Sequence, residues 1–195
     1  VVRSIQQLYV IKDLSLAGFS LGGNFVLRVA ARAVMAHIQL RKVVAICPAL
    51  NPHASDAALA SGPLMYRQHF LNKWKQILKR KEQLFPRQYN FSKMLESHSI
   101  TELTDVLVRT HAGFSGVRDY YDGYSLLGKT LNSLVTPAYV LLAKDDPIVP
   151  VKDAELLASN PNLHITLSEF GGHCGFMSSI VGKRWADEWA KFCLR

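Results

Sequence analysis

The fold of this chain is decided by one stretch near its start, LSLAGFSLGGN at residues 14–24. Its first four residues are an apolar run that predicts a β-strand, and residues 21–36 carry apolar side chains at helical spacing. Between them, residues 18–22 match the pattern G-x-S-x-G, with Ser20 at the centre. A sharp strand-to-helix turn needs small neighbours and exposes the serine hydroxyl. It also leaves the backbone N–H of Leu21 at a helix N-terminus, where it can donate to an oxyanion.

Beyond this turn, short apolar runs alternate with helical patterns. Residues 52–135 break the alternation and predict a mostly helical, polar insert. We expect an α/β fold with a mainly parallel sheet of about four strands, flanked by helices, and with the insert as a helical cap over the carboxyl edge of the sheet. The predicted strands are residues 14–17, 43–47, 138–143 and 164–170, and the predicted helices outside the insert are residues 21–36, 153–159 and 178–192.

The composition is that of a globular protein. The 195 residues are 49% hydrophobic and 19% charged, and we expect a single α/β domain over residues 1–195. The cysteines are odd in number and show no metal-type spacing, which argues against a disulfide framework and favours a reducing, cytoplasmic environment. They are Cys47, Cys174 and Cys193.

The net charge of +8 comes almost entirely from residues 67–93. This segment contains eight basic residues and one acid, Glu82. Its apolar residues recur at intervals of three and four, which predicts a basic amphipathic helix. A solvated helix face is the first explanation, and attraction to an anionic membrane surface or an anionic substrate is the second. Because no nucleic-acid-binding motif accompanies the basic residues, we expect no nucleic-acid partner.

Two further loops carry side chains suited to chemistry. Asp145 and Asp146 directly follow the third predicted strand, and an acid at this point can orient an imidazole and stabilise its charged form. His173 lies among three glycines after the fourth predicted strand, which predicts a tight loop that presents the ring. Each signal is weak by itself. Serine, aspartate and histidine in this order, each after a predicted strand, together predict a Ser-His-Asp constellation.

Other candidate residues carry weaker signals. Cys174 adjoins His173, but no elbow-like turn supports a nucleophilic thiol there, so we expect a structural role. The chain contains no G-x-x-x-x-G-K phosphate loop, and we expect no cofactor. The remaining histidines show no ligand spacing, so we assign no metal site. They are His37, His53, His69, His98, His111 and His164.

These motifs resemble those of the α/β-hydrolase superfamily, and more narrowly those of its YheT-type branch, which includes the lipid-directed α/β-hydrolase-domain proteins. The resemblance covers nearly the whole chain. Its less specific part is the strand-to-helix turn at residues 18–22, called the elbow below. Its more specific parts are the Asp-Tyr-Tyr segment and the Gly-Gly-His-x-Gly-Phe ending. The matching residues are 17–24, the basic helix at 66–82, Gly113-Phe114, 119–121, Ser125, 145–147 and 171–176.

The resemblance implies a serine hydrolase of carboxylic esters, with a small-molecule acyl ester or a lipid as substrate. Ser20 would be the nucleophile, His173 the general base and acid, and the Leu21 N–H part of the oxyanion hole. In such hydrolases the orienting acid is commonly followed by one residue and an apolar pair that ends in proline. This spacing favours Asp146, with Asp145 as the alternative.

Compared with such hydrolases, the sequence before the serine is short. Seventeen residues precede Gly18, whereas these enzymes carry about four strands there, and a loop among those strands supplies the second oxyanion N–H. We therefore expect the C-terminal part of a longer domain. Two alternatives stay open: a catalytically impaired, truncated protein that acts as a binding module, and an acyltransferase that uses the same three side chains.

Overall fold

The computed structural model describes residues 1–9, 11, 13–179 and 182–195. Within this part of the chain, four strands form a parallel sheet in the order β1-β2-β3-β4. The expected α/β fold, with a mainly parallel sheet of about four strands flanked by helices, is confirmed. The strands are β1 (Leu16–Phe19), β2 (Val43–Ile46), β3 (Ala138–Ala143) and β4 (Leu163–Ser168).

Helices make up most of the remaining secondary structure. α2 follows β1 after a single residue, and α3 begins the long helical segment between β2 and β3. The α-helices of the described residues are α1 (Val2–Tyr9), α2 (Leu21–Ala31), α3 (Pro52–Ser61), α4 (Leu64–Leu84), α5 (Ser92–Leu95), α6 (Ile100–His111), α7 (Val117–Tyr124) and α8 (Trp185–Leu194), and a 3₁₀ helix spans Val151–Leu156.

The two central strands hold the core of the sheet. All four side chains of β2 are buried, as are five of the six in β3, while the edge strands β1 and β4 are partly exposed. Parallel strands that are covered on both faces need continuous apolar runs, which is why these two strands stand out in the sequence. Phe176, Ala186 and Cys193 pack against them, so α8 covers part of the sheet.

The described chain divides into two compact units. The sheet unit comprises residues 1–51 and 124–195, and the helical unit comprises Pro52–Gly123. The predicted insert thus begins where the helical unit begins, but residues 124–135 group with the sheet unit. The reason lies in their contacts: the N–H of Leu126 donates to the Leu50 carbonyl at 2.9 Å, and the Ser133 hydroxyl donates to the Ala31 carbonyl at 2.8 Å.

Several predicted boundaries shift. β1 lies two residues later than predicted, because its ladder with β2 pairs Leu16 with Val43 and runs on to Phe19 and Ile46. The last helix begins at Trp185 rather than at residue 178. Before it, the N–H and the hydroxyl of Ser178 both donate to the Lys183 carbonyl, and Met177 pairs with Arg184 in an antiparallel bridge. Residues 180 and 181 of that predicted helix lie outside the described residues.

The helical unit has a small core of its own, formed by Leu71, Leu78, Phe91, Met94 and Leu103. Leu71 and Leu78 belong to α4, which carries much of the basic segment.

The basic segment does not form one helix. α4 ends at Leu84, and the backbone of Phe85 is no longer helical, with φ −135° and ψ 57°. Pro86 explains this end, because a residue that precedes proline is disfavoured in helical geometry. Arg87 and Lys93 therefore lie beyond the helix that was predicted to span residues 67–93. Among the described residues, no helix is both long enough and apolar enough to cross a membrane.

Candidate active site

Every strand of the sheet ends in a loop with a chemically useful side chain. Ser20 follows β1, Cys47 follows β2, Asp145 and Asp146 follow β3, and His173 lies in the loop after β4. All four strands are parallel, so their carboxyl ends meet at the same edge of the sheet. The serine, Asp146 and the histidine of the sequence prediction are brought into hydrogen-bond contact there.

Ser20 occupies the sharp turn between β1 and α2. Its φ of 50° lies in the left-handed region, which is uncommon for a residue with a Cβ. Three backbone hydrogen bonds hold the turn: the Ser20 N–H donates to the Ile46 carbonyl, and the N–H groups of Asn24 and Ala49 donate to the Ser20 carbonyl. Gly18 makes the turn sterically possible, because a Cβ there would lie 2.3 Å from the carbonyl oxygen of Gly22. A Cβ on Gly22 would meet open space.

His173 connects the serine to a carboxylate. Its Nε2 lies 2.8 Å from Ser20 Oγ, and its Nδ1 lies 3.0 Å from Asp146 Oδ2. The Asp146 side chain is 1% exposed and the His173 side chain 13% exposed. With the proton on Nδ1, the ring donates to Asp146 and accepts from the Ser20 hydroxyl. This arrangement can move a proton from the hydroxyl onto the ring.

The two neighbouring aspartates have different contacts. Asp146 Oδ1 accepts from the N–H groups of Ile148 and Val149 at 2.8 and 3.0 Å, which fixes the carboxylate that faces the imidazole. Asp145 turns the other way: its Oδ1 accepts from the N–H groups of Gly171 and Gly172 at 2.9 and 2.8 Å. Asp146 contacts the ring, and Asp145 anchors the loop that carries it. The sequence predicted Asp145 only as the alternative acid, and its anchoring role becomes visible only in the contacts with the glycine loop.

The environment raises the pKa of His173. Burial alone would lower it from its ordinary value of 6.5, but the hydrogen bond to Asp146 and the nearby negative charges of Cys174 and Asp146 outweigh burial. The carboxylate therefore stabilises the imidazolium that forms when the ring accepts a proton. A ring with a raised pKa is a stronger base than a free imidazole.

The first residue of α2 supplies a backbone donor beside the serine. Leu21 begins the helix, and an N–H in the first turn has no acceptor within its own helix. The N-terminal end of a helix also carries partial positive charge. The Leu21 N–H thus belongs to the part of the elbow that can stabilise an oxyanion.

Asn24 anchors the elbow to two other chain segments. It is fully buried, and its Nδ2 donates to the carbonyls of Ala49 and Tyr124, each at 2.8 Å. These carbonyls lie just before the chain enters the helical unit and just after it leaves. In the sequence, Asn24 stands out only as the residue that follows the glycines of the G-x-S-x-G turn, and nothing near it predicts this anchoring role.

A pair of thiols adjoins the imidazole, and sequence spacing did not reveal it. Cys47 is fully buried at the end of β2, while Cys174 is half-buried in the loop after β4. The hydrogen bond between the thiols lowers the pKa of Cys174 to about 7, assisted by the positive charge of His173. The same hydrogen bond, with burial, raises the pKa of Cys47. One ligand atom from each of Cys47, Cys174 and His173 lies within 4.8 Å of the others, so these residues are candidates to hold a metal ion.

The comparisons with known proteins agree with this fold. The family model described as the alpha/beta hydrolase fold matches residues 6–125, which is more than half of the chain. The chain therefore belongs to the α/β-hydrolase fold family. A hydrolase from Bacillus anthracis str. Sterne, whose structure is solved, superposes with a TM-score of 0.56 at 16% identity, over 98% of this chain and 69% of its own. At that identity the superposition shows the shared fold.

Two curated relatives indicate which branch of the family this chain resembles. Monoacylglycerol lipase ABHD2 from Homo sapiens is 24% identical, over 92% of this chain and 46% of its own length. The putative esterase YheT from Escherichia coli (strain K12) is 25% identical, over 92% of this chain and 54% of its own length. The chain thus spans about half the length of these relatives. They support the YheT-type branch that the motifs suggest.

Proposed function

We propose that this chain carries the catalytic centre of a serine hydrolase that cleaves carboxylic esters. The observation behind the proposal is the single imidazole of His173, which contacts the Ser20 hydroxyl on one side and the immobilised Asp146 carboxylate on the other. His173 takes the hydroxyl proton as Ser20 Oγ bonds to the ester carbonyl carbon, and then gives that proton to the departing alkoxide. Asp146 fixes the orientation of the ring throughout.

The second half of the cycle regenerates the serine. His173 removes a proton from water, the resulting hydroxide attacks the acyl-enzyme carbonyl, and Ser20 leaves with the proton restored. Both tetrahedral intermediates place negative charge on the former carbonyl oxygen. The N–H of Leu21 donates to that oxygen, and the strained φ of Ser20 supports this role because it holds the hydroxyl next to the helix N-terminus.

A lipid ester is the substrate class that we favour. The names of the relatives, a monoacylglycerol lipase and a putative esterase, support ester or lipid substrates. α4 supports access to a lipid surface, because it carries six basic residues and one acid together with exposed apolar side chains such as Trp74 and Ile77. Basic and apolar side chains on one helix favour binding to an anionic membrane surface. The free thiols of Cys47, Cys174 and Cys193 support a reducing, cytoplasmic location.

The direct test is covalent labelling of the full-length protein with a fluorophosphonate probe. We expect labelling at Ser20 and its loss in Ser20→Ala. Serine nucleophiles of this kind contribute about 10⁶-fold to turnover, so hydrolysis of a monoacylglycerol should also disappear in that variant. The matched control is Ser133→Ala, because Ser133 belongs to the same unit and bonds to a backbone carbonyl away from the site. Undiminished labelling of Ser20→Ala, or an unlabelled wild-type protein, would contradict the proposal.

A further inference from the structure

Two thiols and an imidazole converge at the carboxyl edge of the sheet. Cys47 follows β2, and His173 with Cys174 follows β4, so sequence-distant segments supply the three groups. Their ligand atoms lie within 4.8 Å of one another. In a tetrahedral zinc site, Zn–S bonds of about 2.3 Å place two sulfurs about 3.8 Å apart. From the 4.8 Å limit, the two sulfurs need to approach each other by at most about 1 Å to share one ion.

The chemistry of these groups selects the kind of ion. Two sulfurs and one imidazole nitrogen match the ligands of soft and borderline metals such as Zn²⁺, whereas hard cations such as Mg²⁺ prefer oxygen ligands. Three protein ligands also leave a fourth tetrahedral position for water, as in catalytic zinc sites.

The contacts that hold the two thiols are weak, and they include the hydrogen bond between the thiols. Cys47 Sγ lies 3.7 Å from the Gly172 carbonyl oxygen, and Cys174 Sγ lies 3.7 Å from the Ile46 carbonyl oxygen. A thiol is a weak donor, so little is lost when a metal–sulfur bond replaces such a contact. Cys47 is fully buried, so an ion would enter past the half-buried Cys174 and His173.

We propose that Cys47, Cys174 and His173 form an inhibitory binding site for Zn²⁺. Binding replaces the two S–H bonds with Zn–S bonds and releases both protons to solvent, while water fills the fourth position. The imidazole contributes one of its two nitrogens. Nε2 otherwise bonds to Ser20 and Nδ1 to Asp146, so coordination through either nitrogen breaks the proton path. The inhibitory consequence rests on the proposed hydrolase function, whereas binding of the ion does not.

The test measures binding and inhibition separately in the full-length protein. Zn²⁺ affinity is obtained by competition with a chromophoric chelator, and inhibition is obtained from the rate of fluorophosphonate labelling with and without Zn²⁺. We expect Cys47→Ser and Cys174→Ser each to weaken binding by about tenfold or more. The matched control is Cys193→Ser, which should bind like wild type because Cys193 lies in α8, outside the three-residue cluster. Zn²⁺ should slow wild-type labelling, and a chelator should restore it.

The outcomes separate the claims. Wild-type protein that binds no Zn²⁺, or binds it as tightly as both serine variants do, overturns the site. Binding without slower labelling overturns the inhibition. A wild-type protein that is unlabelled even without metal contradicts the hydrolase proposal, and the chelator competition still decides the metal site. If circular dichroism shows that Cys47→Ser is unfolded, Cys174→Ser decides, because that side chain is half-buried and tolerates the change better.

Discussion

The sheet unit and the helical unit bring their polar side chains together in different ways. In the sheet unit, Ser20 and His173 are separated by 153 positions in the sequence, yet their side chains are within hydrogen-bonding distance. In the helical unit, many polar contacts are local. Arg109 pairs with Asp105 one helical turn away, and Ser99 caps α6 by accepting from the N–H of Glu102.

The difference follows from the two kinds of secondary structure. A parallel sheet aligns the ends of strands that are remote in sequence, so its loops can assemble a buried reaction centre. A helix places residues three and four apart next to each other, so its polar contacts are mostly its own. Changes in the loops of the sheet unit should therefore alter chemistry, while changes on the surface of α4 should alter charge and surface binding.

The largest expected effect in the loops is a loss of kcat that distinguishes Asp146 from Asp145. Asp146→Asn should lower kcat by about 10³- to 10⁴-fold, because an amide at this position favours the wrong tautomer of the imidazole. Asp145→Asn is the matched control. Its Oδ1 can still accept from Gly171 and Gly172, so kcat should fall much less. Steady-state kinetics on a soluble short-chain ester measures both. Equal losses in the two variants would show that the loop anchor matters as much as the carboxylate that faces the ring.

Much of this architecture could be predicted from the sequence, for a physical reason. Strands that are covered on both faces need continuous apolar runs, so β2 and β3 could be recognised from residues 43–47 and 138–143. The turn at Ser20 could also be recognised from the sequence. The G-x-S-x-G pattern places Gly18 at a position where the close contact with Gly22 allows no larger residue.

What the sequence could not provide depends on contacts between remote segments. The proximity of Cys47 to Cys174 arises only when β2 and β4 are placed in the same sheet, and no spacing rule connects them. Residues 124–135 group with the sheet unit through contacts such as the hydrogen bond from the Leu126 N–H to the Leu50 carbonyl, which has no local signal in the sequence. The distinct role of Asp145 likewise depends on the position of the glycine loop.

The turn at Ser20 should be sensitive to a small displacement of its backbone. Gly18→Ala places a Cβ 2.3 Å from the Gly22 carbonyl oxygen, so the backbone must move and carry Ser20 with it. Displacements of about 1 Å at a reacting group cost on the order of 10²-fold in rate. Gly22→Ala is the matched control, since its Cβ meets open space and alanine favours the helix by about 1 kcal/mol. Fluorophosphonate labelling rates and thermal unfolding of both variants measure the contrast, and equal rates would refute it.

The pH dependence of fluorophosphonate labelling measures how far the Asp146 carboxylate raises the pKa of His173. The ring must be neutral to accept the serine proton, so labelling should rise with pH, with a midpoint above the ordinary value of 6.5. Below the midpoint, the rate should fall about tenfold for each pH unit. In Asp146→Asn the midpoint should move down, because burial then acts without the opposing carboxylate. A midpoint that does not differ between the two proteins would show that the sheet loops do not couple these groups.

The smallest expected effect concerns α4 and tests whether its surface is independent of the chemistry. Lys73 and Arg80 are exposed and lie seven residues apart, so they share a face of the helix. The double variant Lys73→Glu/Arg80→Glu should hydrolyse a soluble short-chain ester at the wild-type rate. Its binding to anionic vesicles should fall severalfold or more, since each basic residue near such a surface contributes about 1 kcal/mol.

The matched control for this variant changes the same charge elsewhere. Lys129→Glu/Lys183→Glu alters the net charge equally at two exposed positions of the sheet unit. If the control loses vesicle binding to the same extent, net charge rather than the surface of α4 governs binding. If the α4 variant instead slows hydrolysis of the soluble ester, the helical unit contributes to the chemistry, and the contrast between the two units fails. Vesicle co-sedimentation and soluble-ester kinetics distinguish these results when both are measured on wild type, Ser20→Ala and the two double variants.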